Sequence, residues 1–401
     1  MKVAFLTNVI SPYRAPVFRE LSRTAGWTFR VIVNAQTEFD RRWDGHCEGV
    51  DVQESWTWRF RRAHVSHHPV RTEQVVTTHV PIGLWRDLSR FSPDVVITHE
   101  LGPRSLLASM WARAHRRPFA VWTYQSRAMG TATGRLRARI RDSILGHAAA
   151  IVGMGRQARD VLAGFGVAPD RIVDAPNATD VELITAALER QRADGSIETI
   201  RRTHADGKRI ALFCGRLVPF KGLAEMLEAW CELPSRVRAD WRLLVVGDGP
   251  LASAVDAAAQ RADVVRLPSV PMRDVAGWYA AADLHLFPSL ADAWGLSVQD
   301  AMLCGTPTLC SIHAGCADDL VIDGVDGLLF DPSTTEGMKA GLLSALSHPD
   351  LARLGERAAA RARDFTPERL AQSFRVAVDR ALSGSRRSDG APALGTGGGA
   401  P

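Results

Sequence analysis

Two short segments of the 401-residue chain decide how its second half folds. Residues 215–222 read Gly-Arg-Leu-Val-Pro-Phe-Lys-Gly, and residues 289–300 read Ser-Leu-Ala-Asp-Ala-Trp-Gly-Leu-Ser-Val-Gln-Asp. The first segment supplies two cations beside flexible glycines, and the second supplies two carboxylates around the start of a predicted helix. A helix N-terminus with an arginine and a lysine suits a diphosphate. Carboxylates accept hydrogen bonds from sugar and ribose hydroxyls. The combination predicts a nucleotide-sugar ligand.

The cations Arg216 and Lys221 follow Gly215 at the end of an apolar run. When the bond between the sugar and the diphosphate of a nucleotide-sugar breaks, negative charge builds on the departing diphosphate. Fixed cations near that charge lower the barrier. The chain has no Asp-x-Asp triplet that would bridge a metal ion. We therefore expect no metal and no cofactor, with Arg216 and Lys221 in the metal's place. The alternative is an ordinary surface arginine and lysine after an edge strand.

Gly295, Leu296 and Ser297 open the helix predicted in the second segment. The first amides of a helix have no partner within it and can face a phosphate. Gly295 permits the close approach of a ligand. A helix start without a ligand is the alternative.

Both segments resemble those of the family 4 glycosyltransferases. These are retaining enzymes with the GT-B fold, in which two Rossmann-like domains face each other across a cleft. The family carries Gly-Arg, then Lys-Gly, then an acidic–x7–acidic pair, and the match continues here from Trp294 to Phe330. Family members usually have glutamate at both acidic positions, whereas this chain has Asp292 and Asp300. An aspartate side chain is shorter than a glutamate side chain by one carbon–carbon bond, about 1.5 Å.

The resemblance implies a role for several donor-side residues. Asp292 would bind hydroxyls of the transferred sugar and support the positive charge at its C1. Asp300 would accept hydrogen bonds from the ribose. Trp294 belongs to the Trp-Gly-Leu motif, and the backbone at Val270 would meet the nucleobase. A backbone contact leaves UDP and GDP sugars equally open as donors.

Four residues are predicted on the acceptor side. Tyr13 and Arg14 follow the first predicted strand, at the end where parallel sheets bind ligands. Glu100 and Gln125 follow two further strands, and Gln125 stands where many relatives have a sugar-binding histidine. An ordinary strand-to-helix turn is the alternative for Tyr13 and Arg14. His99, beside Glu100, is as readily a buried histidine as a ligand.

Short apolar runs alternate with helical segments along the chain, which predicts parallel, doubly wound sheets. A chain of this length exceeds one ordinary core. The resemblance implies an acceptor-binding domain over 1–190, a donor-binding domain over 191–365 and a helix over 366–382 that returns to the first domain. The polar stretch 191–207 is interpreted as the connection between domains. The tail 383–401 is predicted to be disordered. Strands are predicted at 2–8, 29–34, 94–98, 119–124, 149–153, 172–175, 209–214, 241–247, 264–267, 284–288 and 308–311.

Charge is distributed unevenly between the two halves. Residues 1–190 carry 26 basic and 18 acidic residues, a net charge of +8, and the remainder carries 23 and 26, a net charge of −3. A basic first half favours an anionic partner, such as a lipid-phosphate acceptor or an acidic membrane surface. A general bias toward arginine explains it equally well. No nucleic-acid recognition motif accompanies the charge.

Composition indicates a globular protein, with 46% hydrophobic and 23% charged residues. No apolar run is long enough to span a membrane, and the N-terminus reads as a strand rather than a signal peptide. We expect a cytoplasmic protein, with peripheral attachment at the inner face of the membrane left open. The six cysteines have no metal-binding spacing, so reduced, buried thiols are expected.

These observations favour a retaining glycosyltransferase that moves a sugar from a nucleotide donor to an acceptor hydroxyl. The acceptor could be a polysaccharide, a lipid-linked glycan or a small molecule. A non-catalytic nucleotide-sugar binding subunit is the alternative, favoured by the two shortened carboxylates. A nicotinamide oxidoreductase is disfavoured because no Gly-x-Gly-x-x-Gly follows the first strand.

Overall fold

The computed structural model describes residues 1–37, 47–66, 72–129 and 134–389. Its first half alternates strands and helices, as the apolar pattern predicts. The strands are β1 (Lys2–Thr7), β2 (Thr28–Val33), β3 (Asp51–Glu54), β4 (Trp58–Ser66), β5 (Thr72–Val80), β6 (Val95–His99), β7 (Phe119–Thr123), β8 (Ala150–Gly153) and β9 (Ile172–Asp174). The helices are α1 (Ala15–Ser22), α2 (Leu84–Phe91), α3 (Pro103–Ala114), α4 (Arg135–His147), α5 (Gly155–Gly164) and α6 (Val181–Ala193).

The second half repeats this alternation. Its strands are β10 (Arg209–Cys214), β11 (Trp241–Val246), β12 (Val264–Leu267), β13 (Leu284–Phe287), β14 (Thr308–Ser311) and β15 (Leu328–Phe330). Its helices are α7 (Ser196–His204), α8 (Leu223–Glu232), α9 (Ser235–Arg238), α10 (Ala252–Ala259), α11 (Val275–Ala281), α12 (Leu296–Leu303), α13 (Ala317–Leu320), α14 (Thr335–Leu346), α15 (Leu351–Ala362) and α16 (Pro367–Asp389).

Each half forms one parallel sheet with helices on both faces. The first sheet has the order β3-β2-β1-β6-β7-β8-β9, and the second has the order β12-β11-β10-β13-β14-β15. The central strands of each sheet are buried on both sides and therefore read as continuous apolar runs. In β1, for example, Val3, Phe5 and Leu6 have no exposed surface. The predicted α/β architecture of two doubly wound domains is confirmed.

The order of strands reverses once in each sheet. The chain leaves β1 toward β2 on one side and later returns to β6 on the other. In the second sheet the same reversal lies between β10 and β13. Loops at the carboxyl ends of two such strands diverge and leave a crevice, which is where open α/β sheets bind ligands.

The secondary structure adds to or differs from the expectations at three points. The polar stretch 191–207, interpreted as the connection between the domains, contains the end of α6 at Ala193 and the helix α7 (Ser196–His204), both packed against α11. The last helix continues to Asp389, beyond the predicted end at 382, and residues 390–401 lie outside the described part of the chain. The antiparallel pair β4–β5 was not predicted, because its strands are rich in arginine, histidine and threonine.

Helix α16 packs against the first sheet, although the second domain precedes it in the chain. The Phe374 ring meets the rings of Phe5 and Trp122 edge-on, with centroids 5.3 and 5.0 Å away. Arg375 donates hydrogen bonds to the Glu20 carbonyl and the Thr24 hydroxyl, each at 3.0 Å. The chain therefore crosses between the domains twice. No helix in the described residues is long and apolar enough to cross a bilayer.

A substitution at Gly355 tests the packing that holds α12 in place. It lies inside α15, and a Cβ there would overlap the carbonyl oxygen of Gly305, in the turn after α12. Gly355→Ala is expected to lower the free energy of unfolding by about 1–3 kcal/mol. The control is Gly146→Ala in α4, where the new methyl group meets no atom within 4 Å. There the better helix propensity of alanine should raise stability by up to about 1 kcal/mol. Equal effects in urea unfolding would contradict this account.

Candidate functional site

The loops that follow β10 and β13 meet at the reversal point of the second sheet. The Leu290 amide donates a hydrogen bond to the Phe220 carbonyl at 2.9 Å. Gly222, with a φ of +67°, lies so close to Pro288 that a Cβ would overlap the Pro288 carbonyl oxygen. The two segments that the sequence singled out are therefore in direct contact.

Lys221 and Asp292 form an ion pair at this contact. Lys221 Nζ lies 2.5 Å from Asp292 Oδ2, and the two side chains are 18% and 15% exposed. Asp292 Oδ1 accepts a hydrogen bond from the Trp294 amide at 3.0 Å. The pair thus lies directly before the helix that begins at Leu296. A mostly covered pair of this kind carries a desolvation cost that a ligand could relieve by taking one partner.

The two predicted phosphate-binding cations both lie near one aromatic ring. The Arg216 guanidinium lies 5.4 Å and Lys221 Nζ lies 6.0 Å from the centroid of the Phe220 ring. Lys221 Nζ is also 4.8 Å from the centroid of Phe287, at the end of β13. Arg216 is exposed, and Lys221 is half-buried. Both cations therefore belong to one site, with Arg216 on its open side.

Glycine contacts allow neighbouring loops to approach at backbone distance. A Cβ at Gly247, after β11, would overlap the carbonyl oxygen of Gly215, and a Cβ at Gly249 would lie 2.5 Å from that of Leu217. The loop carrying Arg216 is held in place by the Asp248 carbonyl, which accepts from the Leu217 amide at 2.9 Å. The turn at residues 247–249 thus packs against the loop that carries Arg216 and holds it in place.

The start of α12 presents unpaired amides beside the ion pair. Gly295 has a φ of +107°, and Val298 is the first amide to bond back, to the Gly295 carbonyl at 3.0 Å. In the described part of the chain, no acceptor takes the amides of Leu296 and Ser297. A Cβ at Gly295 would lie 3.0 Å from the Phe287 ring. The helix terminus therefore offers partial positive charge next to Lys221.

The Asp300 side chain is more deeply buried than a group that binds ribose needs to be. It is 2% exposed, and its Oδ1 has no hydrogen-bond partner among the described residues. Burial raises its pKa to about 7; the neighbouring Asp180 acts in the same direction, and Thr179 partly opposes the shift. Burial raises the pKa of Cys214, the residue before the loop that carries Arg216. The nearby Asp300 raises the pKa of Cys214 further. Asp300 as a ribose ligand stays a prediction, and it requires opening of the cleft beside Thr179.

His285 and Val270 complete the donor side. Burial and the nearby Lys221 lower the pKa of His285 to about 3, so this histidine is neutral. Val270 is half-buried after β12. The preceding amide, that of Ser269, donates to Asp248 Oδ2 at 3.1 Å. The contact of Val270 with a nucleobase stays a prediction.

Polar side chains also gather at the reversal point of the first sheet. The Arg14 guanidinium lies over the rings of Trp122 and Tyr124, 5.2 and 5.1 Å from their centroids, and donates to Thr7 Oγ1 at 2.9 Å. Gln125 follows Tyr124 and donates to Thr123 Oγ1 at 3.3 Å. The structure therefore brings Arg14 and Gln125 to the same edge of the sheet.

Glu100 lies at this edge in a strained conformation. Its φ is +71°, which is uncommon for a residue with a side chain. Its Oε2 accepts from Asn8 Nδ2 at 3.0 Å and lies 3.8 Å from the buried Arg104. Both ring nitrogens of His99 are buried without a hydrogen-bond partner in the described residues, and burial lowers its pKa well below the usual value. His99 is thus a buried, neutral histidine, although not a hydrogen-bonded one.

The two domains are linked by a hydrogen bond between α13 and the start of α5. Asp319, on α13 of the second domain, accepts from the Arg156 amide at the start of α5 at 2.8 Å. A Cβ at Gly155 would overlap this carboxylate and would lie 2.7 Å from the Trp294 ring. Tyr13 of the first domain lies close enough to Tyr279 of the second to raise its pKa, although burial contributes most. The donor loop and the acceptor edge therefore face each other.

Sequence reasoning missed two aromatic residues of the donor site. Phe220 stands inside the first motif but was not singled out, although an aromatic residue between two cations in the sequence is a recognisable signal. Phe287 comes near Lys221 only through folding, and no local pattern marks it. Among the described residues, no group of three or more histidine, cysteine, aspartate or glutamate side chains could hold a metal ion.

Two family models match consecutive parts of the chain. One, described as glycosyl transferases group 1, matches residues 196–363, and the other, described as a glycosyl transferase 4-like domain, matches residues 10–178. The chain belongs to the group 1 glycosyltransferases. The predicted family is confirmed, and the two facing Rossmann-like domains of this glycosyltransferase are those of the GT-B fold.

Curated relatives of this glycosyltransferase match over part of their length. The D-inositol 3-phosphate glycosyltransferase of Arthrobacter sp. (strain FB24) is 31% identical over 245 residues, 57% of this chain and 56% of that protein. The O-antigen chain mannosyltransferase B of Escherichia coli is 30% identical over 141 residues, 34% of this chain and 36% of that protein. The matched part thus spans about half the length of the first relative and less of the second.

Solved structures share the fold over nearly the whole glycosyltransferase. Anabaena HepE in complex with UDP has a TM-score of 0.70 at 16% identity, over 94% of this chain and 100% of that chain. HepE in complex with UDP-glucose has a TM-score of 0.68 at 17% identity, over 94% and 99%. A sucrose-phosphate synthase from Thermosynechococcus elongatus has a TM-score of 0.67 at 16% identity, over 96% and 99%. At these identities the likeness establishes the fold.

The burial of Asp300 predicts a specific dependence of stability on pH. Because the folded-state pKa of about 7 exceeds the usual value for aspartate, the folded state binds more protons than the unfolded state between these two values. The free energy of unfolding contributed by this group therefore falls as pH rises through that range. Asp300→Asn removes this loss. Relative to the wild type, the variant should gain about 1–3 kcal/mol of stability between pH 5 and pH 8. A difference independent of pH in urea titrations would contradict the assignment.

Proposed function

We propose that the protein transfers a sugar from a nucleoside-diphosphate sugar to an acceptor hydroxyl, with retention of the anomeric configuration. One observation carries this proposal: Lys221 is paired with Asp292 directly before the open amides of α12. A diphosphate could bind Lys221, Arg216 and the helix terminus together. The carboxylate of Asp292 would then be free to accept hydrogen bonds from the sugar. The diphosphate and the sugar would both find binding groups in this site without an added cation. We therefore propose that the transfer does not depend on a metal ion.

The proposed reaction assigns a task to each side of the cleft. As the bond between the sugar C1 and the phosphate oxygen breaks, Arg216, Lys221 and the amides of Leu296 and Ser297 would stabilise the charge on the diphosphate. The acceptor hydroxyl would attack C1 from the face that the diphosphate leaves, and its proton would pass to the departing phosphate oxygen. Asp292 would hold the sugar while positive charge develops at C1.

The acceptor would lie between the two domains. Tyr13, Arg14, Glu100 and Gln125 are proposed to contact it, since they follow strands that end at the reversal point of the first sheet. Closure of the domains would exclude water, which would otherwise hydrolyse the donor. The link between Asp319 and the start of α5 supports a closed arrangement of this kind. We propose a glycan, lipid-linked or small-molecule acceptor in glycoconjugate or polysaccharide synthesis.

Structural neighbours support a uridine nucleotide as the first donor to test. Anabaena HepE is described in complex with UDP and with UDP-glucose. Guanosine nucleotides remain the second choice, because the predicted base contact at Val270 is made by backbone. A shift of the melting temperature on addition of UDP or GDP, and of their glucose and mannose derivatives, would decide between them, since a bound ligand stabilises the folded state.

Lys221→Ala tests the diphosphate site. Removing the ammonium group should abolish the melting-temperature shift caused by the nucleoside diphosphate, because the remaining exposed arginine is screened by solvent. Lys208→Ala is the matched control. Lys208 is also paired with an aspartate, Asp263 at 2.8 Å, but before the opposite end of β10. It should leave the shift unchanged. An undiminished shift in Lys221→Ala would refute the diphosphate assignment.

Asp292→Asn separates sugar binding from diphosphate binding. The amide keeps the shape of the side chain but no longer holds Lys221 by charge. Binding of the free nucleoside diphosphate should be retained or strengthened, while transfer or donor hydrolysis should fall at least about 100-fold, as for other electrostatic contacts to a transition state. Release of the nucleotide, with and without cell extract as an acceptor source, measures the reaction. Nucleotide-sugar binding without turnover in the wild type would instead favour a non-catalytic binding subunit.

A further inference from the structure

Gln157 is a buried polar residue of the first domain whose side chain bonds to the second domain. It lies near the start of α5 and has no exposed surface. Its Nε2 donates to the carbonyls of Ile312 and Ala314, at 3.1 and 3.0 Å, and to Asp318 Oδ1 at 3.1 Å. All three acceptors belong to the second domain. The reaction proposed above gives this residue no role.

The oxygen of the same amide faces the acceptor side of the cleft. Gln157 Oε1 accepts a hydrogen bond from the Arg127 amide at 3.3 Å. Arg127 follows Gln125 by two residues, in the loop that leaves β7. Three acceptors near the nitrogen and one N–H group near the oxygen favour a single orientation of the side-chain amide. One side chain therefore joins the loop that carries Gln125 to the second domain.

A charged contact joins the same loop to the second domain nearer the surface. Arg127 Nη2 lies 2.7 Å from Asp318 Oδ2 and 2.5 Å from Asp160 Oδ2 on α5. Asp318 thus accepts from Arg127 at one oxygen and from Gln157 at the other. The side chains of Arg127 and Asp160 are about half exposed, so solvent screens these ion pairs. The buried amide of Gln157 is therefore the stronger candidate for a link between the domains.

The carbonyls that Gln157 binds belong to the segment that holds the Asp292 backbone. The Asp292 amide donates to the His313 carbonyl at 3.2 Å, and the Asp292 carbonyl accepts from the Gly315 amide at 3.0 Å. These bonds form a parallel bridge between Asp292 and Ala314. Because the backbone of Asp292 is bound on both sides of its Cα, a shift of this segment would also move the Asp292 carboxylate.

We propose that Gln157 is a positioning residue for the sugar transfer. It connects the loop of Gln125, on the acceptor side, with the segment that holds Asp292, on the donor side. Its bonds to the second domain require α5 to lie against α13, so the Asp292 carboxylate would take its place against the sugar as the domains come together. This inference rests on the proposed function, because that function assigns Asp292 to the sugar and Gln125 to the acceptor.

Glutamine suits this position better than other residues of similar size. Leucine at position 157 would leave two carbonyls and a carboxylate without their donor, and buried acceptors without a partner are costly. Glutamate would place a second negative charge beside Asp318, although it could still accept from the Arg127 amide. Gln157→Leu therefore breaks both connections, and Gln157→Glu breaks the connection to the donor side alone.

Amide hydrogen exchange tests the positioning without any substrate. In Gln157→Leu and Gln157→Glu, peptides that contain residues 290–296 and 311–316 should exchange at least about tenfold faster than in the wild type, because the bonds that protect their amides open more often. The rest of the second domain should exchange as in the wild type.

Gln191→Leu is the matched control. Gln191 is another buried glutamine, and its Nε2 donates to the Asp274 carbonyl at 3.0 Å. The substitution removes a buried hydrogen bond of the same kind, on α6 rather than α5. It should leave the exchange of residues 290–296 and 311–316 unchanged.

Nucleotide release separates positioning from folding. With the nucleotide-sugar that gives the wild type its largest melting-temperature shift, UDP-glucose first, kcat for nucleotide release should fall about tenfold to a hundredfold in both variants at position 157. KM should stay near the wild-type value, and the shift caused by UDP should not fall. Arg216 and Lys221, proposed to bind the diphosphate, lie on a different loop, which follows β10. A purely structural role would lower the melting temperature and the UDP shift together.

Four results would overturn the inference. They are unchanged exchange at residues 290–296 in both variants at position 157, equal effects in Gln191→Leu, an unchanged kcat, or a fall in kcat matched by a loss of UDP binding. If Gln157→Leu does not fold, Gln157→Glu, which keeps the shape of the side chain, decides by itself. Faster exchange at residues 290–296 in a protein that turns over no nucleotide-sugar would leave the positioning of Asp292 intact and remove the proposed function alone.

Discussion

The ammonium group of Lys221 and the carboxylate of Asp292 lie 2.5 Å apart, where the loops after β10 and β13 meet. Two largely covered charges cost free energy to remove from water, and each offsets part of that cost for the other. The arrangement matters because the two groups suit different parts of one ligand. A phosphate would replace the carboxylate at Lys221, and sugar hydroxyls would replace the ammonium at Asp292. The elements around the pair serve to hold these two loops in contact.

Glycine contacts are the means by which the loops stay together. Gly222 approaches Pro288, and Gly247 approaches Gly215, at distances that no side chain would permit. Behind them, Gly355 lets α15 pack against the turn that follows α12. Each contact brings backbone against backbone, so the position of the helix N-terminus depends on the absence of side chains at several separate points in the chain.

The two domains are joined by more than the connecting chain. Gln299, on α12, accepts from the Thr179 amide and donates to the Ala362 and Phe365 carbonyls. One buried side chain thus links the two segments in which the chain passes between the domains, one at Thr179 and one before α16. Asp319 adds a second link at the start of α5. The donor helix is therefore coupled to the segments in which the chain passes between the domains.

The sequence by itself determined the class of fold, the family and the presence of two cations and two carboxylates in short motifs, because these depend on residues close together in the chain. Alternating apolar strands and helices specify parallel sheets, and Gly-Arg, Lys-Gly and the two aspartates stand at fixed spacings. The spacing also located the start of α12. Only the tertiary structure decided which of these groups touch. It paired Lys221 with Asp292, brought both cations near the Phe220 ring and enclosed Asp300 beside Thr179. It also formed the β4–β5 pair. Those contacts join residues far apart in sequence, and local patterns carry no information about distance across a cleft.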